Sequence, residues 1–381
     1  MLRLPGKLRW RVWDAPRTIS SSFWENLKLC FNSLTYNHHM NSSYASDVCM
    51  EPIFWFVDNY THLLGPFFVV GVFFLTSSVV FIAYWIGLPY YQENHPNLVV
   101  ILVIIGNWLL LNVIFHYYKA VTTPPGYPPE ELIPETVSIC KKCIIPKPPR
   151  THHCSVCNKC ILKMDHHCPW LNNCVGYGNH RFFFLYMAYT TLGCIFLVFC
   201  GIEIAYFYVW LGVGDSWTET EPLVGHPVTY NDTGHMVPGP ILEQYDDVSI
   251  KRVEHDLPVP PEEALNSTKR KAVIFVAFIV TSVILALGSL TIWHSRLITR
   301  GETSIESYVN QSEAKKFLQF NMEYVNPYNF GRRKNWILFL GLVRGRTFFR
   351  HILFPSNHKP EGNGLTFPTV HDNKTHKNEW P

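Results

Sequence analysis

The sequence predicts an all-α integral membrane protein with four transmembrane helices and a cysteine-rich domain between the second and third helices. Two observations support this fold class. Four long apolar runs interrupt the 381-residue chain, and seven of its eleven cysteines fall between Cys140 and Cys174. Charged residues make up 16% of the chain, below the ~25% usual in soluble proteins. This composition is typical of a protein partly immersed in lipid.

The N-terminal region, residues 1–66, precedes the first apolar run and carries six basic residues, five of them among its first 17 residues. Residues 18–35 carry apolar side chains at helical spacing, which predicts an amphipathic helix lying on a membrane surface. A helix packed on the protein itself is the alternative. The chain does not start with a short apolar stretch and a cleavage site, so no signal peptide is predicted.

The four apolar runs are each long enough to cross a bilayer core, which takes about 20 helical residues. They cover Phe67–Leu88, Leu98–Phe115, Phe182–Val213 and Ala272–Trp293. Glu203 in the third run is expected near a membrane face or paired with a polar group, because a carboxylate at mid-bilayer is costly. Buried helices of a soluble protein are the alternative, but four such runs exceed what a soluble core of this size needs.

The distribution of basic residues predicts the orientation of the spans. Lys and Arg are frequent before the first span, between the second and third, and after the fourth, whereas residues 214–267 are rich in acids. We therefore expect both termini and the cysteine-rich loop to face the cytosol. The run Lys269-Arg270-Lys271 disagrees with this assignment. The sequon at Asn231 would then be lumenal and open to glycosylation.

The cysteine-rich loop reads CKKC at 140–143, HHCSVCNKC at 152–160 and DHHCPWLNNC at 165–174. Tetrahedral zinc sites use thiolate and imidazole ligands at such spacings. Two four-coordinate zinc ions need eight ligands, which six cysteines and two histidines supply. Cys168 then remains beside a histidine and an aspartate, as a candidate nucleophile. Reduced thiols of this kind indicate a reducing compartment.

The loop also lies close to the third span, which would hold its chemistry at the boundary between water and lipid. An acyl thioester needs this location, because its polar carrier belongs in water and its chain in hydrocarbon. His166 is placed to take the thiol proton of Cys168. Asp165 would fix the tautomer of this histidine and stabilise the imidazolium.

At these residues the sequence resembles the DHHC-type protein S-acyltransferases, which are membrane palmitoyltransferases. The shared pattern is CxxC, then HHCxxCxxC, then DHHCPWxNNCVG, and the resemblance covers residues 65–355. The segments Thr122-Thr123-Pro124-Pro125-Gly126 and Gly301-Glu302-Thr303-Ser304-Ile305-Glu306 look closest to the subgroup numbered sixteen. That subgroup is associated with the endoplasmic reticulum. The resemblance thus implies the endoplasmic reticulum membrane, with the Golgi as the second candidate.

The resemblance implies an interleaved pairing of zinc ligands that spacing alone leaves open. The first structural zinc would be held by Cys140, Cys143, His153 and Cys160. The second structural zinc would be held by Cys154, Cys157, His167 and Cys174. Cys168 is left as the acylated nucleophile, with His166 as its base and Asp165 as the residue that orients the base.

Further residues take roles from the same resemblance. Those implied to lie near the coenzyme A phosphates are Lys147, Arg150 and His152, for which a solvated basic face is the alternative. The Ser304 hydroxyl is expected to contact Asp165. Pro124 replaces an aspartate of the family pattern, and the tail motif Asn326-Pro-Tyr-Asn329 is expected to pack against the membrane domain. His180 is interpreted as an ordinary loop histidine.

These assignments divide the chain into seven segments. They are a cytosolic N-terminal region (1–66), spans one and two (67–117), a cytosolic zinc-binding catalytic domain (118–181), span three (182–213), a lumenal loop (214–271), span four (272–295) and a cytosolic C-terminal region (296–381).

The implied activity is transfer of a palmitoyl or other long-chain acyl group from acyl-CoA to cysteine thiols of proteins, through an acyl-enzyme at Cys168. The implied partners are palmitoyl-CoA, the lipid bilayer and protein substrates with cytosolic juxtamembrane cysteines. A net charge of +3 does not indicate nucleic acid. A non-catalytic scaffold for other acyltransferases is the main alternative. A zinc module recruiting ubiquitin-conjugating enzymes would leave Cys168 unexplained, and a transporter would need paired charges within the spans.

Overall fold

The computed structural model describes residues 24–31, 42–129, 137–210, 228–230, 236–238 and 261–372. The chain divides into two compact units, Met1–Leu64 and Gly65–Pro381. In the first unit, helix α1 covers 24–31 and exposes Trp24 and Leu27. This helix lies within the predicted amphipathic segment 18–35, whose other residues fall outside the described part of the chain. Its position on a membrane surface stays a prediction.

Four helical segments are long and apolar enough to cross a membrane. They are Leu64–Asn94, Pro96–Thr122, His180–Trp210 and Leu265–Arg300. Their components are α2 (Ser42–Ile82), a π-helical turn (Ala83–Gly87), α3 (Leu88–Asn94), α4 (Pro96–Thr122), α5 (His180–Ala205), a second π-helical turn (Tyr206–Trp210), α6 (Pro261–Val283), a third π-helical turn (Ile284–Gly288) and α7 (Ser289–Arg300). The four predicted spans are confirmed.

The helices extend beyond the apolar runs, because polar flanking residues continue the helix without continuing the hydrophobic pattern. The second span, predicted to end at Phe115, runs on to Thr122. Residues 211–213 of the predicted third span and Asn231 lie outside the described residues. Glu203 is paired as expected, since its carboxylate lies 3.0 Å from Nε2 of His95.

The cysteine-rich domain consists of three two-stranded antiparallel hairpins. They pair β1 (Ser138–Ile139) with β2 (Pro146–Lys147), β3 (His152–Cys154) with β4 (Lys159–Ile161), and β5 (His166–Cys168) with β6 (Asn173–Val175). A fourth hairpin, β7 (Val228–Tyr230) and β8 (Met236–Pro238), lies between spans three and four. Isolated two-stranded hairpins are at best marginally stable in water. The three hairpins of the domain therefore need cross-links.

Two asparagines attach the domain to the end of the second span. The Asn173 carboxamide donates to the carbonyls of Ala120 and Thr123, and Asn179 donates to the same two carbonyls. The last carbonyls of a helix lack intrahelical partners. These contacts satisfy them and fix β6 and the start of α5 against α4.

The C-terminal region packs on the ends of the spans through α8 (Ser304–Gln319), α9 (Arg332–Leu340) and α10 (Phe348–His351). Asn326 of the tail motif donates to the Arg300 carbonyl, and Asn335 donates to that of Thr299. The residue after α10 is also held, because the hydroxyl of Tyr189 in α5 donates to the Ile352 carbonyl at 2.6 Å. The expected packing of the tail motif on the membrane domain is therefore confirmed.

Candidate active site

Strand β5 places a zinc ligand and the catalytic candidates on opposite faces. Its residues are His166, His167 and Cys168, and successive side chains of a strand point to opposite sides. His167 pairs across the hairpin with Cys174, toward a metal-ligand cluster. His166 and Cys168 share the other face. The three-residue string thus serves two sites at once.

The first metal-ligand cluster joins the turn after β1 to the next hairpin. Its four ligand atoms lie within 4.8 Å of one another and come from Cys140, Cys143, His153 and Cys160. His153 and Cys160 face each other across the β3–β4 hairpin. Nδ1 of His153 lies 3.1 Å from Cys143 Sγ and 3.7 Å from Cys140 Sγ.

The second cluster repeats this arrangement one hairpin further along the chain. Its members are Cys154, Cys157, His167 and Cys174. Cys154 and Cys157 belong to the β3–β4 hairpin, whereas His167 and Cys174 form a cross-strand pair of the β5–β6 hairpin. Nδ1 of His167 lies 3.3 Å from Cys157 Sγ and 3.5 Å from Cys174 Sγ. Adjacent residues His153 and Cys154 serve different clusters, which explains the interleaved order of the ligands.

The geometry of both clusters fits zinc. Ordinary zinc–sulfur and zinc–nitrogen bonds place sulfur and nitrogen about 3.6 Å apart on a tetrahedron. In each CxxC turn a backbone N–H donates to the first sulfur, from Cys143 to Cys140 at 3.4 Å and from Cys157 to Cys154 at 3.3 Å. These donors favour the thiolate form. Two closed sets of four ligands are the arrangement expected of structural zinc.

Asp165, His166 and Cys168 form a connected group beside the second cluster. Nδ1 of His166 donates to Oδ2 of Asp165 at 2.6 Å, and Cys168 lies on the same face of strand β5 as this imidazole. Asp165 is 1% exposed and Cys168 7%. With Nδ1 held by the carboxylate, Nε2 is the nitrogen left to exchange a proton with the thiol. The structure therefore brings the three predicted catalytic residues together.

The N-terminus of α8 holds the Asp165 carboxylate. The backbone N–H of Ser304 donates to Oδ1 at 2.8 Å, and its hydroxyl donates to Oδ2 at 2.7 Å. Thr303 caps the helix in a capping box with Glu306, so its hydroxyl is committed to the helix itself. A helix N-terminus favours a negative charge. The expected contact between Ser304 and Asp165 is present, together with a backbone donor that the motif did not indicate.

The surroundings of Asp165 and His166 favour a negative charge on the carboxylate and a positive charge on the imidazole. Burial disfavours ionisation of Asp165, but the nearby His180 and the hydrogen bond from His166 outweigh it and lower the pKa of this carboxyl. Burial likewise opposes protonation of His166. Its hydrogen bond to Asp165 and its proximity to Cys168 outweigh burial and raise the pKa of the imidazole to about 9. The site therefore favours a carboxylate at Asp165 and stabilises the imidazolium that forms when His166 takes up a proton.

We expect Ser304→Ala to lower the rate of Cys168 acylation by about tenfold, which corresponds to the loss of one charge-assisted hydrogen bond of about 1.5 kcal/mol. The backbone N–H to Asp165 remains in this variant, so activity is reduced but not lost. The matched control is Ser304→Thr, which keeps the hydroxyl and should retain the wild-type rate. Rates of acyl-enzyme formation measured in a rapid-quench experiment compare the two. A wild-type rate in Ser304→Ala would contradict the assigned hydrogen bond.

Arg150 connects the zinc domain to α8. Its guanidinium bonds both carboxylate oxygens of Glu306 and the carbonyl of Gly301, and lies 4.3 Å from the ring centroid of Tyr328. The side chains of Arg150 and Glu306 are 7% and 13% exposed. Burial opposes ionisation of Glu306, but Arg150 outweighs it and lowers the pKa of this carboxyl. The pair fixes the helix whose first residue holds Asp165.

We expect Glu306→Gln to destabilise the protein by about 3–5 kcal/mol, because it leaves the Arg150 charge buried and unpaired. Glutamine can still complete a capping box, so the loss reports on the ion pair. The matched control is Arg344→Gln, which breaks the pair with Glu361 from an arginine side chain that is 77% exposed and should change little. Thermal unfolding of the purified proteins should show Tm lowered by on the order of 5 °C in the first variant only. Equal Tm values would contradict this role.

The three basic residues predicted to lie near coenzyme A differ in their surroundings. Arg150 forms the buried ion pair with Glu306, whereas Lys147 of β2 and His152 of β3 are half-buried and lie in the zinc domain. Burial lowers the pKa of His152.

Pro124, which replaces the aspartate of the family pattern, precedes a turn whose Pro125 carbonyl accepts the N–H of Gly178.

Two histidines beside Asp165 are not indicated by the sequence motifs. His180, interpreted as a loop histidine, is the first residue of α5 and places Nε2 3.8 Å from Oδ1 of Asp165. His294 of α7 contributes a nitrogen to a group with His166 and Asp165 whose members lie within 4.8 Å of one another. One signal was available for His294, because an ionisable residue in an apolar span commonly faces the protein interior and has a function.

Four apolar helices, two Cys₃His clusters and a cysteine beside an Asp–His pair define a membrane enzyme class that carries acyl groups on a thiol. A family model described as DHHC palmitoyltransferase matches residues 133–311. Palmitoyltransferase ZDHHC16A of Danio rerio is 41% identical over 90% of this chain and 88% of its own length. The human Palmitoyltransferase ZDHHC16 is 41% identical over 90% of this chain and 86% of its own.

A more distant relative is the Probable protein S-acyltransferase 16 of Arabidopsis thaliana, 26% identical over 80% of this chain and 91% of its own length. The chain belongs to the DHHC palmitoyltransferase family. The resemblance stated from the sequence motifs is therefore confirmed, including the similarity to members numbered sixteen.

Proposed function

We propose that this protein transfers a palmitoyl group from palmitoyl-CoA to cysteine thiols of protein substrates, through an acyl-enzyme at Cys168. The single observation that carries the proposal is the position of this thiol. Of the seven cysteines between Cys140 and Cys174, six belong to the two metal-ligand clusters. Cys168 is the seventh, and it faces His166, which is bonded to Asp165.

The first step forms the acyl-enzyme. His166 accepts the thiol proton of Cys168, and the sulfur attacks the carbonyl carbon of the thioester. A new carbon–sulfur bond forms, the bond to coenzyme A breaks, and the leaving thiolate takes the proton from His166. Asp165 stabilises the imidazolium throughout.

The second step repeats this chemistry with a protein thiol as nucleophile. The substrate cysteine gives its proton to His166 and attacks the acyl-enzyme carbonyl, and Cys168 is released as the leaving thiolate. Cys168 packs in a cluster with Leu171 and Phe182 at the start of α5, next to the third span. An acyl chain bound to it would continue between the spans, with its carbonyl at the water–lipid boundary.

The eight cluster residues would hold two structural zinc ions. Zinc bound there would cross-link the three hairpins, and a closed set of four ligands leaves no position for the substrate. The protein's contribution is to hold β5 rigidly, so that His166 stays aligned with Cys168. Because His167 lies between these two residues, tethering it to the second cluster fixes both of its neighbours.

For coenzyme A we propose Lys147, Arg150 and His152 as the phosphate contacts, of which Arg150 also binds the Glu306 carboxylate. The substrates we propose are proteins with cysteines close to the cytosolic membrane surface. The basic residues around the zinc domain support this orientation. The similarity to relatives numbered sixteen supports the endoplasmic reticulum membrane as the location, with the Golgi as the second candidate.

The proposal is tested by incubating the purified protein in lipid nanodiscs with an alkyne-tagged palmitoyl-CoA. We expect label on the protein that neutral hydroxylamine removes, as it does from thioesters, with release of one coenzyme A per acyl group. A cysteine peptide carrying a lipid anchor should then accept the label. An unlabelled protein that holds two zinc ions would favour the alternative, a scaffold for other acyltransferases.

A further inference from the structure

Two buried histidines flank the Asp165–His166 pair from the membrane side of the site. His180 and His294 are 6% and 1% exposed, and they come from different spans. Nε2 of His180 lies 3.8 Å from Oδ1 of Asp165. The ring of His294 lies 5.9 Å, centroid to centroid, from the ring of His166 and from that of His180. Two further imidazoles thus lie beside His166 and the Asp165 carboxylate.

Burying these two histidines lowers the stability of the fold, because some of their nitrogens have no hydrogen-bond partner. Among the residues that the structure describes, neither nitrogen of His180 has a hydrogen-bond partner, and Nδ1 of His294 has none. A buried polar atom without a partner costs about 1–3 kcal/mol. Their neighbours are aromatic, with Phe183 at 5.2 Å from His294 and Phe339 at 5.1 Å from His180. Phenylalanine would fill both sites without that cost, so packing alone does not account for histidine.

Both histidines lie close to the Asp165 carboxylate, His180 through Nε2 and His294 through one of its ring nitrogens. Oδ2 of Asp165 already accepts hydrogen bonds from the Ser304 hydroxyl and from His166, whereas Oδ1 accepts only the Ser304 N–H within the described chain. His180 Nε2 faces Oδ1 and would reach hydrogen-bond distance after a shift of about 1 Å. A polar N–H directed at a carboxylate in a site of low dielectric is strongly attractive.

We propose that His180 and His294 are positioning residues that hold the Asp165 carboxylate and the His166 ring in their reactive arrangement through the polarity of their imidazoles. This inference rests on the proposed function, because it assigns these two residues a part in the same reaction. Neither residue touches the acyl donor. His180 acts on Asp165, and His294 acts on both Asp165 and the His166 ring. Because His180 belongs to span three and His294 to span four, the positions of both spans influence the position of His166.

The test compares shape with polarity at each position. His180→Phe and His294→Phe keep an aromatic ring, whereas His180→Gln and His294→Gln keep an N–H donor. The rate of acyl-enzyme formation is measured against palmitoyl-CoA concentration, with Tm and zinc content recorded for every variant. We expect the Phe variants to lose about tenfold or more in kcat at an unchanged KM, and the Gln variants to recover most of the loss, with two zinc ions in all.

The matched control is His116→Phe. His116 is also fully buried, stacks on an aromatic ring (Tyr189, 5.5 Å) and, within the described part of the chain, leaves Nε2 without a partner. It lies in α4, where its ring contacts are Phe115, Phe182 and Tyr189 and not Asp165 or His166, so its variant should keep wild-type kcat and KM. A loss of kcat in this control equal to that of His294→Phe would show a general effect of buried histidines and overturn the inference.

Three other outcomes would also overturn it. Phe variants with wild-type kcat would leave the imidazoles no role in the reaction. Phe and Gln variants that are equally slow at unchanged Tm would show that an N–H donor does not restore the rate, so polarity would not be what these residues contribute. A third zinc in the wild type, lost in His294→Phe, would identify the cluster as a metal site. No label on wild type overturns the proposed function as well, whereas labelled wild type with equally fast Phe variants overturns this inference alone.

Discussion

The Cys168→Ser variant is expected to form no hydroxylamine-sensitive adduct with palmitoyl-CoA, a loss on the order of 10³-fold or more in rate. A serine hydroxyl is far less acidic than a thiol, so His166 cannot generate the nucleophile by the same proton transfer. The fold should persist, because Cys168 lies outside both metal-ligand clusters and serine is smaller by little. Incubation with alkyne-tagged palmitoyl-CoA, followed by neutral hydroxylamine, measures the adduct.

The matched control is Cys194→Ser in α5, a half-buried cysteine outside the site. It removes a thiol from the same protein and should label like the wild type. Zinc content measured by mass spectrometry should be two ions per chain in both variants. If Cys168→Ser lost a zinc ion, the ligand assignment would be wrong. If it kept a hydroxylamine-sensitive label, another cysteine would be the acyl carrier.

The four spans and the eight residues of the metal-ligand clusters were accessible to sequence analysis because local physics determines them. A bilayer requires about 20 apolar residues in each helix, and the four runs provide them. The CxxC turns and the nearby histidines indicate the eight ligands, whereas their division into two interleaved sets came from the family resemblance. His153 and Cys154 are neighbours on β3, and they serve different clusters because adjacent side chains point to opposite faces.

Contacts between residues that are distant along the chain were the hardest to predict from the sequence. Arg150, whose contact with the coenzyme A phosphates stays a prediction, also pairs with Glu306, 156 residues later. No local sequence pattern predicts an ion pair between residues so far apart along the chain. His180 follows the zinc domain directly and looked like a loop residue, but α5 begins at this position and turns it toward Asp165. Long-range packing decides these roles, and it becomes visible only in three dimensions.

Removing one ligand of the second zinc cluster, as in Cys157→Ser, is expected to abolish both zinc binding at that cluster and acylation of Cys168. Structural zinc contributes about 10–16 kcal/mol to the folding of small domains. The strands it cross-links contain only three residues each and are not stable alone. His167 lies between His166 and Cys168, so releasing it releases both. Zinc content and thioester labelling of the same preparation test this expectation.

The matched control is Cys200→Ser, a half-buried cysteine of α5 outside both clusters. It should keep two zinc ions and full labelling. Full labelling of a Cys157→Ser protein that holds one zinc ion would show that the second cluster is dispensable for the alignment of β5. That outcome would leave the Ser304 contacts to Asp165 as the main support of the site.

The first cluster provides the complementary measurement, because it is one hairpin further from the nucleophile. Cys140→Ser disturbs the β1–β2 hairpin and His153, but it leaves the four ligands of the second cluster in place. We therefore expect a smaller loss of labelling than in Cys157→Ser, with one zinc ion retained. Equal and complete loss in both variants would mean that the hairpins fold as one cooperative unit. In that case the shared β3–β4 hairpin, which supplies ligands to both clusters, couples the two zinc sites.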